Sequence, residues 1–198
     1  HTLLDFISPP GEGYGRPILV NVAGQISNSR VFNYNPPDVD TISPLTGPTA
    51  GGTTLTLTGT SFGFNPAVTI GGVAATVLSS SHTQIVCRTP AGEGEDQPLV
   101  VISAGRSSRP NLFSYDPPVV SSITPNTGST QGGTSVTITG SNFGLTGVAQ
   151  IGGKPLSIVT RNHNQIVGFT PVGQGRDQSV SVAVLSRTAS GPVFHYGA

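Results

Sequence analysis

Residues 49–63 read TAGGTTLTLTGTSFG and residues 130–144 read TQGGTSVTITGSNFG, glycine-rich stretches of the kind that can cradle a phosphate. A phosphate loop needs G-x-x-x-x-G-K-[ST] at a strand-to-helix turn. The nearest approach is Gly152-Gly153-Lys154, but Pro155 follows and no helical period does. A Gly-Gly hairpin turn, with positive φ at both residues, is the expectation there.

Three other groups of residues could carry chemistry. Glu93, Glu95 and Asp96 in PAGEGEDQ form a weak Ca²⁺ candidate through their oxygen ligands. The corresponding loops read PPGEGYGR and PVGQGRDQ, so the carboxylates vary while Gly-x-Gly stays, and a solvated turn is expected. His1, His82 and His163 recur at one spacing, but strands of ~20 Å would hold such copies far apart. Each is read as a satisfied histidine at a strand start, bonded to a neighbouring turn. Cys87 stands where Phe6 and Gly168 stand in the related segments, which fits a buried thiol better than a reactive one. No Ser/His/Asp or Cys/His constellation recurs. No enzymatic activity, cofactor or metal is expected.

The elements that would position these residues repeat. Shifting the chain by 81 residues superposes Ile42-Ser43-Pro44 on Ile123-Thr124-Pro125, Gly51-Gly52-Thr53 on Gly132-Gly133-Thr134, and Phe113-x-Tyr115 on Phe194-x-Tyr196. Of 80 aligned positions 31 are identical, without a gap. The same offset places 1–13 on 82–94. Three divisions follow: 1–37 as the C-terminal part of a truncated repeat, then 38–118, then 119–198.

Each full repeat reads as seven short strands. In 38–118 they are Val39–Ser43, Thr53–Thr58, Ala67–Ile70, Val73–Leu78, His82–Thr89, Pro98–Ser103 and Leu112–Tyr115. Alternation with period two points Leu55, Leu57, Ile70, Ile85, Val101 and Phe113 inward, together with Val136, Ile138, Ile151, Ile166, Val182 and Phe194. Residues 1–37 hold only the closing three strands, which marks them as part of a longer chain. The pattern indicates an all-β protein of tandem immunoglobulin-like β-sandwiches with an 81-residue repeat.

The run V-x-x-I-x-P-x-x-G-x-x-x-GG-T-x-(L/V)-T-(L/I)-T-G-x-x-F-G resembles the IPT/TIG domain, as do the later I-GG, T-P-x-G-x-G and closing F-x-Y. The resemblance covers both full repeats and the partial one. It implies the immunoglobulin-like fold of plexins and certain transcription factors, and a place in large cell-surface repeat proteins. The double glycines are then fold punctuation.

Composition separates the functions open to such a fold. The nine basic residues balance nine acidic ones, and eight of the basic residues are Arg. Loops Thr60–Asn65 and Ser141–Gly147 hold no basic residue, so no nucleic-acid partner is expected. No long apolar run inserts in a membrane. Carbohydrate binding, the alternative for a secreted accessory module, commonly uses Trp or Tyr; there is no Trp, and only Tyr14 lies outside the repeated closing position.

The leading expectation is a stiff, structural or adhesive extracellular or cell-surface segment. Its partners would be neighbouring repeats of the same chain, other surface proteins, or further copies in a filament. Pro36-Pro37 and Pro117-Pro118 leave little slack between repeats. Gly11, Gly13, Gly92 and Gly94 would line an interdomain seam, facing Thr60–Asn65 and Ser141–Gly147 of the following repeat, because glycine lets backbones approach.

Overall fold

The structure, a computed structural model, describes residues 3–197; His1, one of the three recurring histidines, lies outside them. Every strand of 38–103 recurs 81 residues later, from Asp38–Ser43 and Val119–Thr124 to Gln97–Ser103 and Gln178–Val184, with the same bounds except that Thr46–Gly47 becomes Thr127–Ser129. Contacts divide the chain into two compact units. One takes the chain through Pro44, Thr54–Arg88 and Pro98–Asn111; the other takes Leu45–Thr53, Thr89–Gln97 and the chain from Leu112 on. Each unit therefore contains the join of two successive repeats.

The third repeat lies wholly within the second unit and shows the sandwich. One antiparallel sheet runs in the order Val119–Thr124, Ser135–Ser141, Gln165–Phe169, Ser157–Arg161. The other runs Thr127–Ser129, Arg187–Gly197, Gln178–Val184, Val148–Ile151, Lys154–Pro155. Alternation along Ser135–Ser141 buries Val136 and Ile138 and turns Ser135, Thr137 and Thr139 outward. The buried set meets Ile151, Ile166, Val180, Val182, Phe143 and Phe194 in one core. All twelve inward positions read from the sequence are buried, none more than 1% exposed.

In the first unit, Asp38–Ser43, Thr54–Thr60, Gln84–Arg88 and Thr76–Ser80 form the equivalent four-stranded sheet. Both outer strands of this sheet carry a bulge, at Val39/Thr41 and Val77/Ser79, and the third repeat places bulges at Val120/Ser122 and Ile158/Thr160. Bulged edges twist away from foreign strands, and the exposed Asp38 and Asp40 add charge to one of these outer strands.

The strand reading needs three corrections. Val73–Leu78 is two strands, Val73–Ala74 and Thr76–Ser80, because the chain passes from one sheet to the other at Ala75. Short strands Thr46–Gly47 and Arg106–Ser107 were not expected; the first pairs parallel to Ser114 and Tyr115, the second closes a hairpin through Ala104 and Gly105, both at positive φ. Residues 3–7 form no strand, unlike Gln84–Arg88 at the same repeat position. Leu4 and Phe6, the equivalents of fully buried Ile85 and Cys87, are 65% and 59% exposed.

A fragment experiment checks this partition. A 1–37 peptide is expected to lack a cooperative transition, since its two short strand pairs, Arg16–Ile18 with Arg30–Phe32 and Asn21–Val22 with Gln25–Ile26, are marginal in water, whereas 38–198 is expected to unfold cooperatively. A dispersed, monomeric NMR spectrum from 1–37 would contradict it.

Candidate functional site

The tip loops carrying Gly-x-Gly are tied first to their own repeat. The hydroxyls of Tyr34, Tyr115 and Tyr196 donate to the carbonyls of Pro9, Pro90 and Pro171, each at 2.9 Å. The amides of the same tyrosines donate to the carbonyls of Gly13, Gly94 and Gly175. A Cβ on Gly11, Gly92 or Gly173 would fall 2.3–2.4 Å from the tyrosine ring of its own repeat. The first glycine of each pair thus lies directly against a ring of its own repeat, which by itself leaves no room for a side chain. Gly13, Gly94 and Gly175 have φ of 83°, 95° and 88°, the left-handed region that favours glycine. A Cβ on Gly94 would also press on Leu185 Cδ1 of the third repeat at 2.9 Å, and one on Gly13 would lie 3.3 Å from Ala104 Cβ of the second. Pro37 and Pro118 are buried, while Pro36 and Pro117 are exposed.

Between those glycines stands the residue that reaches across. Glu12 Oε2 accepts the Phe64 amide at 2.7 Å and the Ser103 hydroxyl at 3.0 Å. One repeat later, Glu93 Oε1 accepts the Thr146 amide at 2.9 Å and the Leu145 amide, while Oε2 accepts the Thr146 hydroxyl. Burial by itself would raise the Glu93 carboxyl. The Thr146 hydroxyl, the two amides and the nearby Arg161 guanidinium outweigh it and hold the group below the usual carboxylate range. This contribution is present at neutral pH and is lost as pH falls through the depressed value.

An arginine completes each join. Arg106 Nη1 donates to Tyr34 O, and Arg187 Nη1 to Tyr115 O, both at 2.6 Å. Arg187 also pairs with Glu95. Arg161 Nη1 donates to Thr146 O and, at 2.8 Å, to Gly147 O, bracing the loop that receives Glu93. Asn142 takes part as well: its Oδ1 accepts the Thr49 amide at 3.2 Å and its Nδ2 donates to Pro117 O at 3.1 Å. Sequence reading passes over Arg106, Arg187 and Glu12, and takes Glu93 only as a weak Ca²⁺ candidate. The usable signal was that Arg106 and Arg187 are identical at a hairpin position, where neither core packing nor a turn demands arginine.

The other candidates resolve locally. Glu93 and Glu95 are engaged as described and Asp96 is exposed, so the three carboxylates do not converge on a cation site. Among the described residues no group of three or more His, Cys, Asp or Glu could hold a metal. His163 Nδ1 lies 2.9 Å from Thr49 Oγ1, a residue of the preceding repeat. His82 departs from the satisfied-histidine expectation: its ring meets Phe64 edge-on at 4.9 Å, and its buried Nε2 has no partner among the described residues. Cys87 is fully buried, and burial pushes its thiol up to about 11. Gly152 and Gly153 have φ of 57° and 76° in a two-residue hairpin, and Lys154 Nζ donates to Val172 O. Tyr14 is 66% exposed.

Comparison with known proteins matches residues 37–115 and 118–196 to the model of the IPT/TIG domain. Fibrocystin-L of Homo sapiens is 38% identical over 113 residues, which are 55% of this chain and 3% of that protein. The chain therefore spans a small part of that relative's length. The plexin A4 extracellular region is 28% identical, with a TM-score of 0.44, covering 81% of this chain and 18% of that one. A surface glycan-binding protein from Prevotella bryantii shares the fold at 17% identity, with a TM-score of 0.56, over 80% of this chain and 42% of that one. With two matches that together cover most of its length, the chain belongs to the IPT/TIG domain family.

Proposed function

We propose that residues 1–198 are a non-enzymatic structural or adhesive segment of a longer extracellular or cell-surface protein, in which successive repeats are held stiffly by specific joints. The divisions are 1–37, 38–118 and 119–198, and the joint residues are Gly13, Gly94, Pro37 and Pro118 with Glu12, Glu93, Arg106 and Arg187. Partners are the neighbouring repeats, with other surface proteins or further copies as lateral partners. The observation that carries this reading is the recurrence of one contact: an arginine from the same hairpin, 81 residues apart, donating at 2.6 Å to the carbonyl of the preceding repeat's closing tyrosine. A solvated surface arginine has no reason to choose the same carbonyl twice. Similarity to a plexin extracellular region and to fibrocystin-L supports the setting.

Small-angle scattering on the full chain tests the joint. In the Arg106→Ala/Arg187→Ala variant, the distance distribution should broaden while the denaturation midpoint moves little. Each lost hydrogen bond costs only ~1 kcal/mol, and less where water reaches the site. A profile that superposes on the unsubstituted chain would remove the stiff-joint reading.

A further inference from the structure

We infer that the Phe-Gly loop of each full repeat is a receptor for a glutamate carboxylate, and that the glutamate between the tip glycines of the preceding repeat is its ligand. The inference rests on the joint reading and assigns its recognition chemistry. In the second repeat the loop places Ser61 at φ 60° and Gly63 at φ 76°; in the third, Asn142 at 58° and Gly144 at 61°. Left-handed residues set this closely turn backbone amides toward one concave side, a ready site for an anion. The amides of Phe64, and of Leu145 and Thr146, are the ones that meet Glu12 and Glu93.

The glycine of Phe-Gly keeps that hollow open. A Cβ on Gly63 would fall 2.0 Å from Glu12 Oε2, and one on Gly144 would fall 2.4 Å from Glu93 Cδ. Phe62 and Phe143 are fully buried and anchor the loop from below. The hollow thus reads a carboxylate on a two-carbon stem, presented from a glycine-flanked turn. Two oxygens serve up to three donors, which a neutral amide with one acceptor cannot match. The third repeat's own tip carries Gln174 at the matching position, so as a ligand it is the weaker form.

The test uses the full chain, labelled with nitrogen-15, as unsubstituted, Glu93→Ala and Glu93→Gln forms at neutral pH. Losing charge-assisted bonds of roughly 1.5–3 kcal/mol should speed hydrogen exchange at Leu145 and Thr146 about tenfold to a hundredfold. Sodium acetate, compared with sodium chloride at equal ionic strength, should shift the Leu145 and Thr146 amide signals saturably in Glu93→Ala. It should leave the unsubstituted chain and the Phe64 amide, still covered by Glu12, unmoved. Three results overturn the proposal: no saturable acetate response in a folded Glu93→Ala chain, an equal response in the unsubstituted chain, or shifts scattered over surface amides. If Glu93→Ala does not fold, unchanged exchange in Glu93→Gln overturns it instead. Failure of the scattering test with the arginine variants leaves these amides unaffected, so the two readings fail separately.

Discussion

Replacing Phe194 by alanine should lower the unfolding free energy by about 3–5 kcal/mol in urea denaturation. The ring is fully buried and meets Tyr196 edge-on at 5.0 Å, so its removal costs transfer energy and an aromatic pair together. Its far end lies against Gly128, where an added Cβ would sit 2.8 Å from Phe194 Cζ. That glycine has no side chain to move into the void, so the cavity collapses poorly and the cost belongs high in the range. Phe113 repeats the arrangement against Gly47, with 3.3 Å in place of 2.8 Å, and its alanine variant should lose a similar amount. By comparison, Tyr196→Phe removes only the hydrogen bond to Pro171 O and should cost ~1 kcal/mol. A loss below ~1 kcal/mol for Phe194→Ala would mean that the closing strand does not fill the core.

The contrast between these residues and the joint explains what the sequence made legible. Leu55, Leu57, Val136 and Ile138 announce themselves because strands alternate with period two and one face must be dry. The 81-residue repeat shows that alternation twice, so chance runs of apolar residues are filtered out. Strands such as Thr46–Gly47 carry no such pattern; two residues beside a proline become a strand only because the closing strand offers free partners. The joint was half legible. Gly-x-Gly stood out in all three copies, yet Gly11 and Gly92 are held by the tyrosine of their own repeat. Glu12 and Glu93 looked dispensable because the third copy has Gln174. Their role depends on which loop follows them in space, and a charge on a turn looks the same whether it faces water or a ring of amides. Arg106 and Arg187 were hidden for the same reason.

The double glycines that first suggested a phosphate loop should separate sharply on substitution, with Gly132→Ala far more damaging than Gly133→Ala. Both residues have left-handed backbones, at φ of 72° and 73°, so alanine pays roughly 1–2 kcal/mol of conformational strain at either position. Only the first is crowded. A Cβ on Gly132 would lie 2.7 Å from the Pro171 carbonyl carbon and 2.8 Å from both Thr170 O and Val172 N, whereas nothing lies within 4 Å of one on Gly133. The crowding atoms are backbone, and they cannot rotate away. Gly132 N donates to Ser129 O and Gly133 N to Thr170 O, so the turn is held where the clash occurs. Overpacking adds ~1–3 kcal/mol, giving about 2–5 kcal/mol for Gly132→Ala against about 1–2 kcal/mol for Gly133→Ala. The second repeat offers the same comparison: a Cβ on Gly51 would fall 2.5 Å from the Pro90 carbonyl, and one on Gly52 would meet nothing. Urea denaturation of the four single variants measures the difference directly. Equal losses at Gly132 and Gly133 would show that the pair is kept for positive φ alone. The larger loss at the first position of both pairs would show that Gly-Gly does two jobs, one glycine making the turn and the other letting the Thr-Pro segment pass.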